Sequence, residues 1–447
     1  MKRIFLPIEI KVREFHGKLL LALYAAERGF ETILGGQIDL LERLHRLGRG
    51  IYLDKSTAIT KREWFRLYRA LGNHVAAWDE EGLVYLSDEV YHDTRMDPEA
   101  FEMVDLFFAW GPRQARTVLA RYPGAADRVV AVGNPRADIL RPELRGYCDE
   151  RVAELRRKHG RTILINTNFA LFNYIRGRER AHRIFAPYPL QRREELLKGW
   201  REFQRHGYEA FREAAVAVHD RFPEHTVVVR PAPAENIVPW QQLFEGKPRG
   251  LVSKEGNVVE WIRAADAVVQ FNCTTGVEAF LLDVPVIAYR CVRSEVYETP
   301  LPISCSSEAA SLDELVAELG LAVAAGGGVS PPAARQQKDR AVVAEHLSAL
   351  GGPTSCERIL DEVERRHFPE RPYTLPSVPL VKRVWRAWLK VVRRPDPMDI
   401  RVRNAMFPGL TVGEARSVAD NFSRQTGRFG TVRITAVGKN IVRVGPS

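Results

Sequence analysis

The sequence predicts an α/β protein with two Rossmann-like parallel-sheet domains facing a cleft and a small basic appendage at the C-terminus. Three observations carry this. Short apolar strands alternate with helical segments across residues 1–145 and again across 160–350, and such alternation implies parallel sheets covered on both faces. At 447 residues the chain is long enough for two core-bearing domains and an extra piece. Residues 369–447 hold 15 Lys+Arg against 5 Asp+Glu, which accounts for the whole net charge of +10.

The first domain, 1–145, opens with a strand over Ile4–Ile10 and a helix over Arg13–Arg28, apolar at Leu19, Leu20, Leu23 and Ala26. Strands follow at Thr32–Leu34, Ile51–Leu53, Val75–Trp78, Leu106–Trp110 and Val129–Val132. In parallel sheets ligands gather at the carboxyl ends of strands. The polar residues there are Gly35-Gly36-Gln37, Asp79-Glu80-Glu81-Gly82, Gly111 and Gly133-Asn134-Pro135-Arg136. Three adjacent carboxylates crowd one another, so one of Asp79, Glu80 and Glu81 is expected to have a raised pKa suited to general acid or base work. A solvated acidic loop capping the next helix has the same sequence. Asn134 and Arg136 are expected in the cleft, although Asn-Pro-Arg also reads as a turn with Pro at the first helical position.

A charged helix, Asp149–Lys158, reads as a linker. The second domain, 160–350, starts with the strand Thr162–Asn168, whose polar end offers Asn166 and Asn168 to the cleft. Phe169–Arg193 is aromatic and basic without a clean period and reads as a loop over the cleft. Glu194–Phe222 is one long helix or two. The strand Thr226–Val229 ends in Arg230-Pro231-Ala232-Pro233-Ala234-Glu235-Asn236, where the prolines require an extended exit. Helices are expected over Glu308–Leu319 and Ala333–Leu350, separated by the glycine-rich 325–328.

The central stretch of this domain is Ala264–Arg290. Val268–Phe271 is a buried strand, Asn272-Cys273-Thr274-Thr275-Gly276 a polar elbow, Val277–Leu282 a helix, and Val284–Tyr289 a second strand. Backbone amides and two hydroxyls at such an elbow favour a phosphate. An ordinary βαβ connection with a Thr N-cap is the alternative. Arg230 falls at a neighbouring strand end, where its fork would hold a phosphate leaving group. Glu278, one turn into the helix, suits ribose hydroxyls, and an ordinary helix-surface Glu is the alternative.

The remaining residues divide into a helix and linker, 351–376, and a tail, 377–447. Cys356–Arg366 is a helix able to return onto the first domain. Leu380–Arg394 sets Val381, Val384, Trp385, Trp388, Val391 and Val392 on one helical face and six basic residues on the other. That pattern fits an interfacial helix on an anionic membrane surface, or a helix packed on the body with its charges in water. A helix Val412–Arg424 and strands Thr431–Val437 and Ile441–Val444 complete the tail.

Composition excludes several classes. No apolar run approaches the roughly 20 residues that span a bilayer. The five scattered cysteines contain no CxxC pair and indicate a reducing compartment. Residues 1–368 carry 51 charges of each sign, so no basic body is offered to nucleic acid. There is no P-loop. There is also no Asp-x-Asp or His/carboxylate cluster, so no metal and no cofactor are expected.

Several segments together resemble a known family. They are Lys18-Leu19-Leu20-Leu21-Ala22, Trp78-Asp79-Glu80-Glu81-Gly82, Trp110-Gly111, Gly133-Asn134-Pro135-Arg136-Ala137-Asp138, Ile165-Asn166-Thr167-Asn168-Phe169, Arg230–Asn236, Thr274-Thr275-Gly276-Val277-Glu278-Ala279 and Met406-Phe407-Pro408-Gly409-Leu410. In this order the chain resembles, nearly end to end, the bacterial surface carbohydrate (surface polysaccharide) biosynthesis proteins, which are similar to GT-B glycosyltransferases. The resemblance implies a glycosyltransferase of lipopolysaccharide or capsule synthesis at the inner face of the cytoplasmic membrane. It would transfer a sugar from a nucleotide-sugar donor, with a CMP-linked keto-sugar acid suggested, to a glycan or lipid-linked acceptor. Asp79, Glu80 or Glu81 would stand near the acceptor, Arg230, Thr274 and Thr275 would hold the departing phosphate, and Glu278 the ribose. Relatives carry Arg-Pro-His-Pro where this chain has Arg230-Pro231-Ala232-Pro233, and the missing histidine contacts the donor phosphate in related transferases. Two other readings remain: a sugar-nucleotide 2-epimerase-like enzyme, and a non-catalytic binding or scaffold member of a polysaccharide assembly complex.

Overall fold

The computed structural model describes residues 2–177, 193–324, 333–366, 368–374 and 397–447. The basic helix expected over Leu380–Arg394 and the glycine-rich 325–328 lie outside them. The chain divides into two compact units: 1–83, 87–147 and 345–447 in one, 84–86 and 148–344 in the other.

The first unit is built on strands β1 (Arg3–Ile8), β2 (Glu31–Gly36), β3 (Ile51–Asp54), β4 (His74–Ala77), β5 (Leu106–Ala109) and β6 (Val129–Ala131). The second is built on β7 (Thr162–Asn166), β8 (Thr226–Arg230), β9 (Gly250–Val252), β10 (Ala267–Gln270), β11 (Val286–Tyr289) and β12 (Ser307–Ala309). Two C-terminal strands, β13 (Val432–Gly438) and β14 (Ile441–Pro446), return to the first unit.

The first sheet has the order β13-β14-β2-β1-β3-β4-β5-β6. β1 to β6 pair in parallel, as the alternation required, and β14 pairs antiparallel with β2. The tail hairpin expected from the sequence therefore forms, and it continues the first sheet. Burial accompanies this: Ile441, Val442 and Val444 are buried while Arg443 is exposed.

The helix Lys11–Glu27 is buried on nearly all sides, with Leu19 to Ala26 covered without a break. Such a helix must be covered on several sides. The helices Ser355–Arg365 and Val412–Thr426, the turn Pro135–Asp138 and β14 all pack on it. The helix Ser355–Arg365 does return to the first unit, and buried Asp138 caps it by accepting from the amides of Ser355 (2.8 Å) and Cys356 (2.9 Å).

The second sheet is parallel throughout, with the order β12-β11-β10-β7-β8-β9. Counting its own strands from β7, that is 3-2-1-4-5-6, the doubly wound order whose switch point falls between the first and fourth strands. Here those are β7 and β10. One face carries the long helix Arg193–Arg221 over an aromatic core that includes Phe169, Phe203, Phe211, Trp240 and Phe271. The expected linker helix is Asp149–His159, and it packs on Val258–Ala264 within the second unit. The helix expected from Glu308 starts at Leu312, because Ser307–Ala309 is taken as the edge strand beside β11.

Candidate functional site

At the carboxyl edge of the second sheet two aromatic residues determine where the polar groups stand. Phe169 and Phe271 follow the ends of β7 and β10, are buried, and meet inside the core with ring centroids 4.8 Å apart. Anchored by these rings, the neighbouring Asn168 and Asn272 are held at the switch point, where Asn168 Nδ2 donates to the Asn272 carbonyl at 2.9 Å. Asn272 has φ 45°, a left-handed conformation that Asn tolerates better than most residues. Its side chain fixes the elbow by donating to the Tyr297 carbonyl (2.8 Å) and accepting from the Thr299 amide (3.0 Å).

The helix after the elbow runs Thr275–Leu281 and begins without a side-chain cap from Thr274. The amides of Gly276 and Val277 bond to the carbonyls of Cys273 and Thr274. Gly276 lets the helix approach the strand: a Cβ there would lie 3.1 Å from the Gln270 side chain. Gln270 accepts from the Cys273 amide and shares a register row with Asn166, which in turn pairs with Arg230. A polar row thus crosses β10, β7 and β8 at their ends. Within it Asn166 Nδ2 is buried without a hydrogen-bond partner among the described residues, and Thr275 at the head of the helix has its side chain against Cys273. Buried polar atoms are normally paired, and leaving one unpaired costs about 1–3 kcal/mol. Such an atom at a switch point marks where a ligand would complete the bonding. Glu278 is buried in the same helix. Burial pushes the Cys273 thiol up.

Arg230 differs from the expectation. Its guanidinium donates to the carbonyls of Glu255 (2.7 Å) and Gly256 (3.1 Å) and lies over the Trp261 ring. Burial lowers its pKa to about 10. The fork therefore shapes the loop after β9, and its charge remains without a carboxylate at ion-pair distance among the described residues.

Glu235 is the residue that sequence reasoning passed over. It is fully buried, and burial pushes its pKa up. One oxygen accepts from Thr167 Oγ1 (2.7 Å), the Phe169 amide (2.9 Å) and the Ala232 amide (3.1 Å); the other accepts from Trp240 Nε1 (3.2 Å). The acid thus ties the loop after β8 to the exit of β7. A carboxylate two residues beyond a Pro-x-Pro exit was the available signal. Phe169 and Phe172, read as part of a loop over the cleft, belong instead to the core.

In the first unit the acidic stretch is paired rather than crowded. Asp79 is buried against Arg95. Glu80 is buried beside Lys18 (3.1 Å) and accepts from Trp78 Nε1 (2.9 Å). Glu81 is the exposed member, bridged by Arg13 (3.1 Å) and Arg95 (3.0 Å). At Glu80 and Glu81 the expected upward pKa shift is reversed. For Glu80, burial raises the pKa, but the cations Lys18, Arg136 and Arg13 outweigh it and hold the value at about 2. The Arg95 charge holds Glu81 well below the usual carboxylate range. Local sequence shows three acids together; the cations that neutralise them come from residues 13, 18, 95 and 136. Asn134 caps its own turn by accepting from the Arg136 amide (3.0 Å), and Arg136 donates to the Glu80 carbonyl (3.0 Å). These two residues brace the acidic stretch.

No family model matches the sequence, and no curated protein matches it. Among solved structures, the chain is similar to UDP-GlcNAc 2-epimerase from Neisseria meningitidis bound to UDP-GlcNAc, at 12% identity and TM-score 0.50, over 82% of this chain and 100% of that one. It is also similar to the wall teichoic acid polymerase TagF soaked with CDPG, at 9% identity and TM-score 0.49, over 81% and 88% of the two chains. Anabaena Alr3699/HepE in complex with UDP and glucose matches at 11% identity and TM-score 0.44, over 82% and 100%. At these identities the likeness is one of fold: two Rossmann-like parallel-sheet units of the GT-B-like class. No helix among the described residues is long and apolar enough to cross a membrane.

Proposed function

We propose that the chain is a sugar-nucleotide-dependent glycosyltransferase of bacterial surface polysaccharide synthesis, and that the second unit binds the donor. The observation that carries this is the buried Asn166 Nδ2, unpartnered among the described residues, at the β7/β10 switch point. Doubly wound sheets take nucleotides at that position. In this reading Asn166, Asn168, Asn272, Thr274, Thr275 and Gly276 form the donor crevice, and Glu278 meets the ribose. The donor is a nucleotide sugar, with a CMP-linked one favoured by the sequence resemblance, and no metal takes part.

The acceptor, a glycan or lipid-linked glycan, is assigned to the first unit. Of the three acids only Glu81 is exposed. It stays ionised at neutral pH, so it accepts a hydrogen bond from an acceptor hydroxyl and does not protonate a leaving group. The basic segment 380–394 holds the protein to an anionic membrane. Its deletion is expected to abolish binding to anionic vesicles, and unchanged binding would remove the membrane role.

The test of the main reading is a thermal-shift panel of cytidine, uridine, guanosine and thymidine nucleotides. A ligand that binds the folded state raises the melting temperature by mass action. One nucleotide series is expected to do so, and its sugar conjugate to be hydrolysed slowly without acceptor. A second reading, a non-catalytic binding member of an assembly complex, draws on the ion pairing of Asp79 and Glu80 and on Ala232. It predicts nucleotide binding with no hydrolysis.

A further inference from the structure

The loop after β9 brings a second cation to the loop after β8. Lys254 Nζ donates to the carbonyls of Glu235 (2.6 Å) and Pro233 (3.1 Å), on either side of Ala234. Ala232 belongs to the same turn: its amide bonds to the Glu235 carboxylate and its carbonyl accepts from the Glu235 amide at 2.9 Å. Lys254 is half-buried, whereas Arg230, whose charge acts on it, is buried.

Among the described residues neither cation has a carboxylate at ion-pair distance. The acid whose charge acts on Lys254, Glu235, is enclosed by the four donors already named and has a raised pKa, while Arg230 feels the charges of Glu260 and Glu255 from beyond ion-pair distance. Burial, and after it the Arg230 charge, lowers the Lys254 pKa to about 8 despite the attraction of Glu235. Two neighbouring cations, both partly stripped of water and with no carboxylate at ion-pair distance among the described residues, are an unfavourable arrangement in the unliganded protein. An anion over the more accessible one relieves it.

We propose that Lys254 is a binding residue for the phosphate of the nucleotide ligand, with Arg230 adding its charge from behind, and that it supplies the positive charge which Ala232 lacks. This rests on the reading of the second unit as a nucleotide-sugar site. The ammonium has three donors, and two are spent on the carbonyls of residues 233 and 235, so one is left for the ligand. Its chemistry is that of a phosphate or diphosphate ester, bound as a point charge.

The experiment is calorimetric titration of the full chain with CMP, CDP, UDP, inorganic pyrophosphate and the nucleoside cytidine. Lys254→Met is expected to weaken nucleotide and pyrophosphate binding about tenfold or more, and to leave any nucleoside binding unchanged. Lys254→Arg is expected to stay near wild type. Lys254→Gln separates charge from loop-holding: it can still donate to the carbonyls, so recovery of affinity in this variant would make Lys254 a structural clamp and overturn the proposal. Melting temperatures of the variants check that the loop stays folded.

Nucleotide binding that is equal in wild type and Lys254→Met would also overturn the proposal while leaving the nucleotide reading intact. Lys254-dependent pyrophosphate binding without nucleotide binding would keep Lys254 as a phosphate-binding residue but overturn its assignment to a nucleotide, together with the nucleotide reading. The charged groups facing the ammonium are Arg230 and Glu235. Wild-type affinity is therefore expected to fall as pH rises through about 8, and that of Lys254→Arg to stay flat; identical pH profiles would count against the charge role.

Discussion

Asp79 and Arg95 form a two-point ion pair: Arg95 Nε donates to Oδ2 at 3.0 Å and Nη2 to Oδ1 at 2.5 Å, with the carboxylate buried. The pair joins the end of β4 to the helix Asp88–Arg95, and Arg95 also reaches Glu81. Removing one partner of a buried pair leaves the other uncompensated, at a cost of about 3–5 kcal/mol. Asp79→Ala is therefore expected to lower stability by about 3 kcal/mol, since Arg95 is a quarter exposed. Denaturant unfolding measures it. A loss of activity without a loss of stability would instead mark Asp79 as a reacting group.

Two groups in the first unit give separate acid transitions. Burial, helped by the charge of Lys11, lowers the His16 pKa from 6.5 to about 4. Its Nδ1 sits 2.9 Å from the Tyr147 hydroxyl. The folded state binds the His16 proton less readily than the unfolded chain does, so stability falls as pH drops from 6.5 toward about 4. Glu80 acts lower. Its stabilising charge is present above 4.5 and is lost as pH falls toward about 2. Melting curves against pH are expected to flatten in the first window for His16→Gln and in the second for Glu80→Gln.

Gly35 lies where β14 meets β2. A Cβ there would stand 2.5 Å from the Asn440 carbonyl oxygen, a backbone atom that cannot turn aside. Overpacking of this kind costs about 1–3 kcal/mol. Gly35→Ala is expected to lower the melting temperature and loosen the hairpin, seen as faster amide exchange at Ile441, Val442 and Val444. Wild-type exchange at those amides would mean the hairpin shifts freely.

Glu235→Ala removes four hydrogen bonds at once and leaves the amides of Phe169 and Ala232 without their acceptor. Each unpaired buried donor costs about 1–3 kcal/mol. The expected result is a destabilised second unit in which the β7 exit, and with it Asn168, is no longer held. Nucleotide affinity should fall even at temperatures where the variant is folded. Full binding by a folded Glu235→Ala would show that the crevice is assembled without this acid.

Much of the fold was legible in the sequence because it depends on local order. The switch point could be approached too: Asn166, Asn168 and the elbow Asn272–Gly276 stand at strand ends, and strand ends are where apolar runs stop. The acidic stretch was misread because proximity in sequence shows repulsion, while the cations that reverse it come from residues up to 68 positions away, as in Arg13–Glu81. Glu235 and Lys254 were passed over for a similar reason. A carboxylate and a lysine in two separate loops look like surface charges until the sheet order places those loops side by side.

By itself the sequence determined the alternation of strands and helices, the basic tail and the polar strand ends, all of which follow from the spacing of apolar residues along the chain. Only the tertiary structure decided that the last two strands extend the first sheet, that Arg230 turns toward two carbonyls, and that Lys254 reaches the loop of Ala232. Those outcomes depend on which strands become neighbours. Pairing is set by the burial of whole faces, and no single segment carries that information.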